Sequence, residues 1–452
     1  MTFHKEENVS KWFGVVAVAA TLIVATACGS SKSSSSSTSA SASSSTTSST
    51  AATTTPAASS GSGGAGTASV TNYLTYVDGK AGKANPSLPP VTIGWVNQQG
   101  GQQVIGALAT NGAQLAVKYV NDQLGGIGGH PLVLSTCFIT SAEEEGTTCA
   151  QKFLANKSIS VIDVGAVAIG IQSLYSTLGT AKPVITGVSV TPVDSTKANA
   201  VILFGDVTHV LGPFGTYASQ VLHAKTAALV YPDIAGITDG ATAIASSLKA
   251  AGVKVKSVAY DPNETDLIGP LTSAGASSAD LVIPYTEAGG CVNLAKGLKQ
   301  LGITDAKKIL SAPLCLNSQV AQGLGGDFPI WTYAIASSLY GDPTDPGMPA
   351  YMKVTSQYGQ TANAPDPWNI VSFGQMLTTV RFLNQLGYGH ITPSAVLAKA
   401  KAFTGPVALG APSLDCGKYP SAPAVCNDRT QFFLYKGKHV FVKSAGWLQP
   451  PA

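Results

Sequence analysis

Charge is scarce in this 452-residue chain, which carries 27 lysines and arginines, 24 aspartates and glutamates, and a formal net charge of +3. No basic run interleaves with aromatic residues, so the electrostatic footprint of a nucleic-acid binder is missing. Six histidines are scattered without HExxH or another ligand spacing, and neither GxSxG nor a Walker A pattern occurs. These absences leave no catalytic residue to assign and no metal or cofactor to expect. What is plentiful is apolar material: at 44% hydrophobic residues the chain can build a sizeable core, and its length suits two packed lobes.

The N-terminus carries Lys5 and Lys11 ahead of an uncharged stretch, residues 12–27, that ends in small residues directly before Cys28. This is the arrangement of a signal peptide, and its apolar run is shorter than the ~20 residues a spanning helix needs. Ala25-Thr26-Ala27-Cys28-Gly29 resembles a bacterial lipobox, which implies cleavage before Cys28, acylation of its thiol and retention by lipid. Ala25 stands where that motif more often has Leu, so ordinary cleavage and release is the alternative. From Gly29 to about Ala68 the chain is almost wholly Ser, Thr, Ala and Gly, with too little apolar surface to fold. A flexible tether of about 60 residues reaches roughly 40 Å. Residues 61–66 match GxGxxG formally, but no strand precedes them and no helix follows, so they carry no dinucleotide reading.

Without Cys28, six cysteines remain, an even set suited to an oxidising exterior. Fifteen connectivities are formally open. Neighbour pairing is the simplest: Cys137 with Cys149, Cys291 with Cys315, and Cys416 with Cys426. A metal site is the rival, but no pair has CxxC spacing and only His130 lies close in sequence to the first of them.

From residue 91 onward short apolar runs alternate with longer amphipathic ones, the pattern of a parallel sheet covered by helices. Strands are expected at 91–96, 131–136, 160–164, 183–187 and 201–204. Helices are expected at 111–124, 144–154 and 171–178; the first shows apolar Ala113, Ala116, Val117, Val120 and Leu124 on one face and is closed by Gly125-Gly126. A second series repeats the order, with strands at 227–231, 255–259, 281–284 and 308–311 and helices at 211–222, 240–251 and 292–301. Helices at 348–358, 368–386 and 394–403 then precede a hairpin of 432–435 with 439–442. The acidic run Glu143-Glu144-Glu145 fits a helix N-terminus.

The segment Asn111-Gly112-Ala113-Gln114-Leu115-Ala116-Val117, followed by Val120-Asn121 and Gly125-Gly126-Ile127-Gly128-Gly129-His130-Pro131-Leu132-Val133-Leu134, resembles the opening of branched-chain amino acid binding proteins, of the type I periplasmic-binding family. Shorter matches follow in order at 182–185, 250–253, 265–266, 279–282 and 297–302. The resemblance implies an α/β protein of two doubly wound parallel-sheet lobes, joined by a three-crossing hinge and closing around a ligand. The expected division is a signal peptide (1–27), a linker (28–90), a first lobe (91–205 with about 335–404) and a second (206–334 with about 405–452).

Loops at the carboxyl ends of strands are then the candidate site. By position these are 98–103, 165–170 and 186–191 in the first lobe, and 233–239, 285–290 and 313–317 in the second. In the relatives, hydroxyls and backbone amides hold the ligand carboxylate, which points to Thr186, Ser189 and Thr191; ordinary loop-capping hydroxyls are the alternative. Ala166 and Ala168 sit in a loop that lacks the hydroxyl the family commonly has. The relatives' acid for a ligand ammonium has no counterpart in 312–315, which leaves Glu287 as the candidate partner and a solvated loop carboxylate as the alternative. Tyr285 is the candidate pocket wall, against a packed core aromatic. Gln98, Gln99, Gln102 and Gln103 offer neutral hydrogen bonds that suit an amide-rich solute. The expected function is an extracytoplasmic receptor on the outer face of the cytoplasmic membrane, held by a lipid anchor, that delivers a small polar solute to ABC permease subunits in the membrane. A ligand-sensing lipoprotein of the same fold is the alternative, and a surface-anchored hydrolase the third reading.

Overall fold

The computed structural model describes residues 69–100 and 104–452. The expected signal segment, Cys28 and the tether up to Ala68 lie outside the described residues, as do Gln102 and Gln103. Residues 65–452 form one compact unit.

A short helix, α1 (Tyr73–Tyr76), precedes the first sheet. Strands β1 (Val91–Gln98), β2 (Leu132–Ile139), β3 (Ile159–Val164), β4 (Val184–Ser189) and β5 (Ala200–Asp206) form that sheet in the order β2-β1-β3-β4-β5, every pair parallel. Strands β1, β3, β4 and β5 are buried on both faces under helices, whereas the edge strand β2 leaves Val133 and Phe138 exposed. The covering helices include α2 (Val104–Gln123), α3 (Glu144–Ala155) and α4 (Ile171–Leu178).

In the second series α5 (Pro213–Thr216) runs into a π-helical turn, Tyr217–Val221, where one continuous helix was expected. Strands β6 (Thr226–Pro232), β7 (Lys254–Tyr260) and β8 (Leu281–Pro284) pair in parallel as β7-β6-β8, with helices α6 (Ala235–Ala250), α7 (Ile268–Ala274) and α8 (Ala288–Gln300) between and after them. A bridge between Val282 and Ile309 continues this sheet into β9 (Leu310–Ser311), and after α9 (Ser318–Gly323) comes β10 (Thr332–Ile335), parallel to β9. The chain then builds α10 (Met348–Gln357), α11 (Pro367–Leu386) and α12 (Pro393–Lys401) before returning with β11 (Thr430–Tyr435) and β12 (Phe441–Leu448). Strand β11 runs antiparallel to β10 and β12 antiparallel to β11, so the expected hairpin is present and is joined to the parallel strands as the far edge of the second sheet.

Helix α11 is the central support of the first sheet: Ile370, Phe373, Met376, Leu377 and Val380 are buried in the same core as α2. The two helices approach so closely that a Cβ on Gly112 would sit 2.3 Å from the Asn369 carbonyl oxygen, which only glycine permits.

Two boundaries differ from the sequence expectation. Residues 69–90 were grouped with the linker, yet Val70, Tyr73, Tyr76 and Val77 are buried in the first-lobe core. Tyr73 meets Phe373 edge-on at 5.6 Å, the Tyr76 hydroxyl lies 2.9 Å from Thr378 Oγ1, and Arg381 donates to the Tyr76 carbonyl. This strap carries enough apolar surface to fold against α2 and α11, which the Ser/Thr tract before it lacks. Residues 405–428 were placed with the second lobe. Instead Ile202 donates to Ala424 O and accepts from Cys426 N, so this segment extends the edge of the first sheet beyond β5. Cys137–Cys149, Cys291–Cys315 and Cys416–Cys426 are joined as disulfides, the neighbour pairing set out above.

Candidate functional site

The chain passes between the sheets three times: after β5, after β10 and before β11. Strands β5 and β10 leave by their carboxyl ends, and β11 starts opposite Ile335, at the carboxyl end of β10. The carboxyl edges of both sheets therefore meet the crossings, and the loops there form the candidate site. The first and third crossings are tied together, because Asn427 Nδ2 donates to Phe204 O (2.9 Å) and Thr430 Oγ1 donates to Val210 O (2.7 Å).

At the end of β1, a strand buried on both faces, Asn97 and Gln98 are completely or nearly completely buried, and burial obliges their amides to find partners. Asn97 Oδ1 accepts from Ala166 N (3.0 Å), while its Nδ2 donates to Gly106 O and to Thr110 Oγ1 (2.8 Å). Gln98 Oε1 accepts from Ala168 N (3.0 Å) and Ile169 N (3.2 Å). Gln99 Oε1 accepts from Thr110 Oγ1 (2.7 Å). The loops after β1 and β3 are thus stitched together, and the backbone amides of Ala166 and Ala168, candidates for a ligand carboxylate, already serve side-chain oxygens. Asn97 was not singled out from the sequence, because a buried amide on an apolar strand has no periodic signature.

The hydroxyls after β4 converge on a carboxylate that the sequence reading also passed over. Ser189 Oγ donates to Asp194 Oδ2 (2.6 Å), Tyr175 donates to Asp194 Oδ1 (2.7 Å), and Thr186 Oγ1 lies 3.4 Å from the same oxygen. Burial raises the Asp194 carboxyl above its ordinary value even though these three donors favour the charged form. Thr191 contributes its carbonyl to Ser189, and its hydroxyl receives Val193 N at 3.4 Å. Beside this group Asp206 ends β5. Burial pushes its pKa up, but hydrogen bonds from His209 and Ser195 outweigh that and hold it below the usual range. The His209 ring packs 4.2 Å from Tyr419.

On the second sheet Tyr285 is buried against Gly240, which favours the packed-core alternative, and desolvation raises its phenol well above the ordinary value. Glu287 is the N-cap of α8, with both carboxylate oxygens 3.0 Å from Gly290 N. Apolar side chains stand exposed at the same edge: Ile234 (38%) and Leu314 (36%). A shallow dent there is lined by Asp233, Ala259, Tyr260, Asp261 and Pro262. The six candidate loops contain Asp233, Asp239 and Glu287 and neither lysine nor arginine. Among the described residues no three His, Cys, Asp or Glu side chains are grouped to hold a metal, and no helix is long and apolar enough to cross a membrane.

Comparison with solved structures gives the fold an independent measure. An ABC transporter substrate-binding protein from Sphaerobacter thermophilus superposes with a TM-score of 0.65 at 14% identity, covering 80% of this chain and 99% of its own. A leucine-binding protein from Thermotoga maritima gives 0.60 at 15% identity, covering 80% and 99%. A fatty acid ABC transporter substrate-binding protein from Thermomonospora curvata gives 0.60 at 14% identity, covering 82% and 97%. No curated protein sequence matches the chain. The family-wide sequence pattern described as periplasmic binding protein matches residues 90–417, more than half of the chain. With parallel sheets whose carboxyl edges meet at three crossings, the chain has the type I periplasmic-binding fold and belongs to the periplasmic binding protein family, whose members are typically binding receptors rather than enzymes.

Proposed function

We propose that this protein is the extracytoplasmic receptor of an ABC importer, capturing a small polar solute between its lobes and presenting it to membrane permease subunits. Lipid retention through Cys28 belongs to the same reading. The observation that carries the solute class is the charge of the candidate loops: three carboxylates and no lysine or arginine. Such an edge favours a neutral or cation-bearing solute, an amide or an amino acid, over an organic anion. With Ser189, Tyr175 and Asn97 engaged internally, the polar contacts fall to main-chain groups, the side-chain NH2 of Gln99, the carboxylates of Asp233 and Asp239, and the lone pairs of Glu287 that its helix-capping bonds leave over. The exposed Ile234 and Leu314 favour a second reading, in which the solute is uncharged and largely apolar.

The test is a thermal-shift screen of residues 65–452 against amino acids, amides, polyamines, organic acids and uncharged apolar solutes. A solute present at about 100 times its dissociation constant stabilises the folded protein by ~2.7 kcal/mol. A hit among amino acids, amides or polyamines supports the first reading, and one confined to apolar compounds supports the second. A hit only among organic acids refutes the charge argument.

A further inference from the structure

We propose that the amino-end face of the second sheet, remote from the candidate site, docks on an anionic phospholipid surface. The charges of this half of the molecule are sorted by strand direction. All eight lysines between residues 210 and 335 sit before or early in a strand, or toward the C-terminal end of a helix that returns to one, as Lys254 opens β7 and Lys307 and Lys308 precede β9. The turn from β11 to β12 adds Lys436 and Lys438 at the same end, since Leu434 pairs with Thr332, the first residue of β10. All ten are exposed, and only Asp280, Asp305 and Asp327 offset them there. All three are engaged locally: Asp280 accepts from Lys225 N and Thr226 N, Asp305 from Lys307 N, and Asp327 from Lys438 N. The remaining carboxylates of this stretch, including Asp233, Asp261 and Glu287, follow strand carboxyl ends or open a helix.

Apolar side chains at the β10–β12 end of the basic face distinguish a bilayer from a soluble polyanion. Ile330 (52%), Val440 (52%) and Val442 (48%) are exposed beside the lysine-bearing turn, and a Cβ on Gly437 would lie 3.9 Å from Ile330 Cδ1. Basic residues around exposed aliphatic groups are the composition of an interfacial membrane contact. The opposite sign at the candidate site turns that edge away from the same lipid. The surface thus rests the receptor on the membrane with its ligand edge toward solution while solute is captured, and handing the solute to the permease requires release from the lipid.

The experiment uses residues 65–452, one compact unit that lacks Cys28, in co-sedimentation with phosphatidylcholine vesicles with and without about 30% phosphatidylglycerol. Binding is expected only to the anionic vesicles and to vanish at high salt. Each basic residue near an anionic surface is worth on the order of fivefold, so K307E/K308E and K436E/K438E each weaken binding by at least about tenfold. The pair K80E/K83E, on the strap, leaves it unchanged. Replacing Ile330 and Val440 by Ser at constant charge also weakens it. Melting curves confirm that each variant is folded, and the two lysine pairs are independent of each other. Absence of binding to anionic vesicles overturns the proposal. So does heparin binding of equal strength that ignores the Ile330 and Val440 substitutions, which identifies a general polyanion surface instead.

Discussion

A chain that starts at Val91, near where the family pattern begins, is expected to lose most of its stability although it retains every strand and every cysteine of the three disulfides. The deletion removes Val70, Tyr73, Tyr76 and Val77 from the first-lobe core, together with the hydrogen bonds of Tyr76 to Thr378 and Arg381. Burying one such side chain is worth roughly 1.5–3 kcal/mol, so four give about 6–12 kcal/mol before the ordering of the strap is subtracted. That gross figure rivals the 5–15 kcal/mol by which folded proteins are typically stable. Urea unfolding followed by tryptophan fluorescence and circular dichroism compares the chains beginning at 65 and 91. The shorter chain should show an early transition or none. Two point variants sharpen the comparison: Tyr73→Ala should cost about 3–5 kcal/mol by opening a cavity beside Phe373. Tyr73→Phe should be neutral or stabilising, because the Tyr73 hydroxyl is buried without a hydrogen-bond partner. Equal midpoints for the chains beginning at 65 and 91 would refute the view that the strap belongs to the core.

Glu287→Gln keeps a side-chain acceptor at the α8 N-cap and should change stability by no more than about 1 kcal/mol; calorimetric titration with the identified solute shows whether the carboxylate also serves the ligand, and unchanged affinity removes it from the site. Burial raises the Asp366 carboxyl at the α11 N-cap to about 6 despite hydrogen bonds from Trp368 and Asn369. The folded state then holds this proton more tightly than the unfolded one, so stability falls as pH rises from about 4 to 6. Asp366→Asn should stabilise the protein by about 1–3 kcal/mol at pH 7 and by nothing near pH 3, measured by urea unfolding at both values. Replacing Cys291 and Cys315 together by Ser frees a loop of sequence separation 24 and should cost ~3 kcal/mol; an unchanged melting temperature would show that the α8 N-terminus is held by packing alone.

The alternation of short apolar runs with amphipathic ones made the two parallel series legible, and α4 and β8 coincide with the ranges read from the sequence. The π turn at Tyr217–Val221 was not legible, since its side chains keep a helical spacing. Strand β10 was missed because Thr332–Ile335 is only four residues, too few to show a period, and it exists as a strand only between β9 and β11. The strap escaped for a related reason: α1 is one turn long, and its burial depends on a face of α11 some 300 residues away. The site loops were placed by strand order, but the use of their side chains was not. Ser189 and Thr186 invite a ligand role until Asp194 is seen between them, and Gln98 until its oxygen is found on the amides of Ala168 and Ile169. Which partner a polar group takes is fixed by tertiary approach, for which a single sequence holds no pattern.

The three crossings also bear on when this chain can fold. The first sheet is supported by Asp163–Thr379 and Gln375–Val164 contacts spanning 216 and 211 residues, and its last edge segment arrives only with Cys426. The second sheet needs β11 and β12, the final strands. Neither lobe can therefore be completed while the C-terminal few dozen residues are still unsynthesised or in transit, and loop closure over such distances is slow. Both sheets thus wait on the same stretch between Ala424 and Leu448, so the two halves become complete together rather than one after the other.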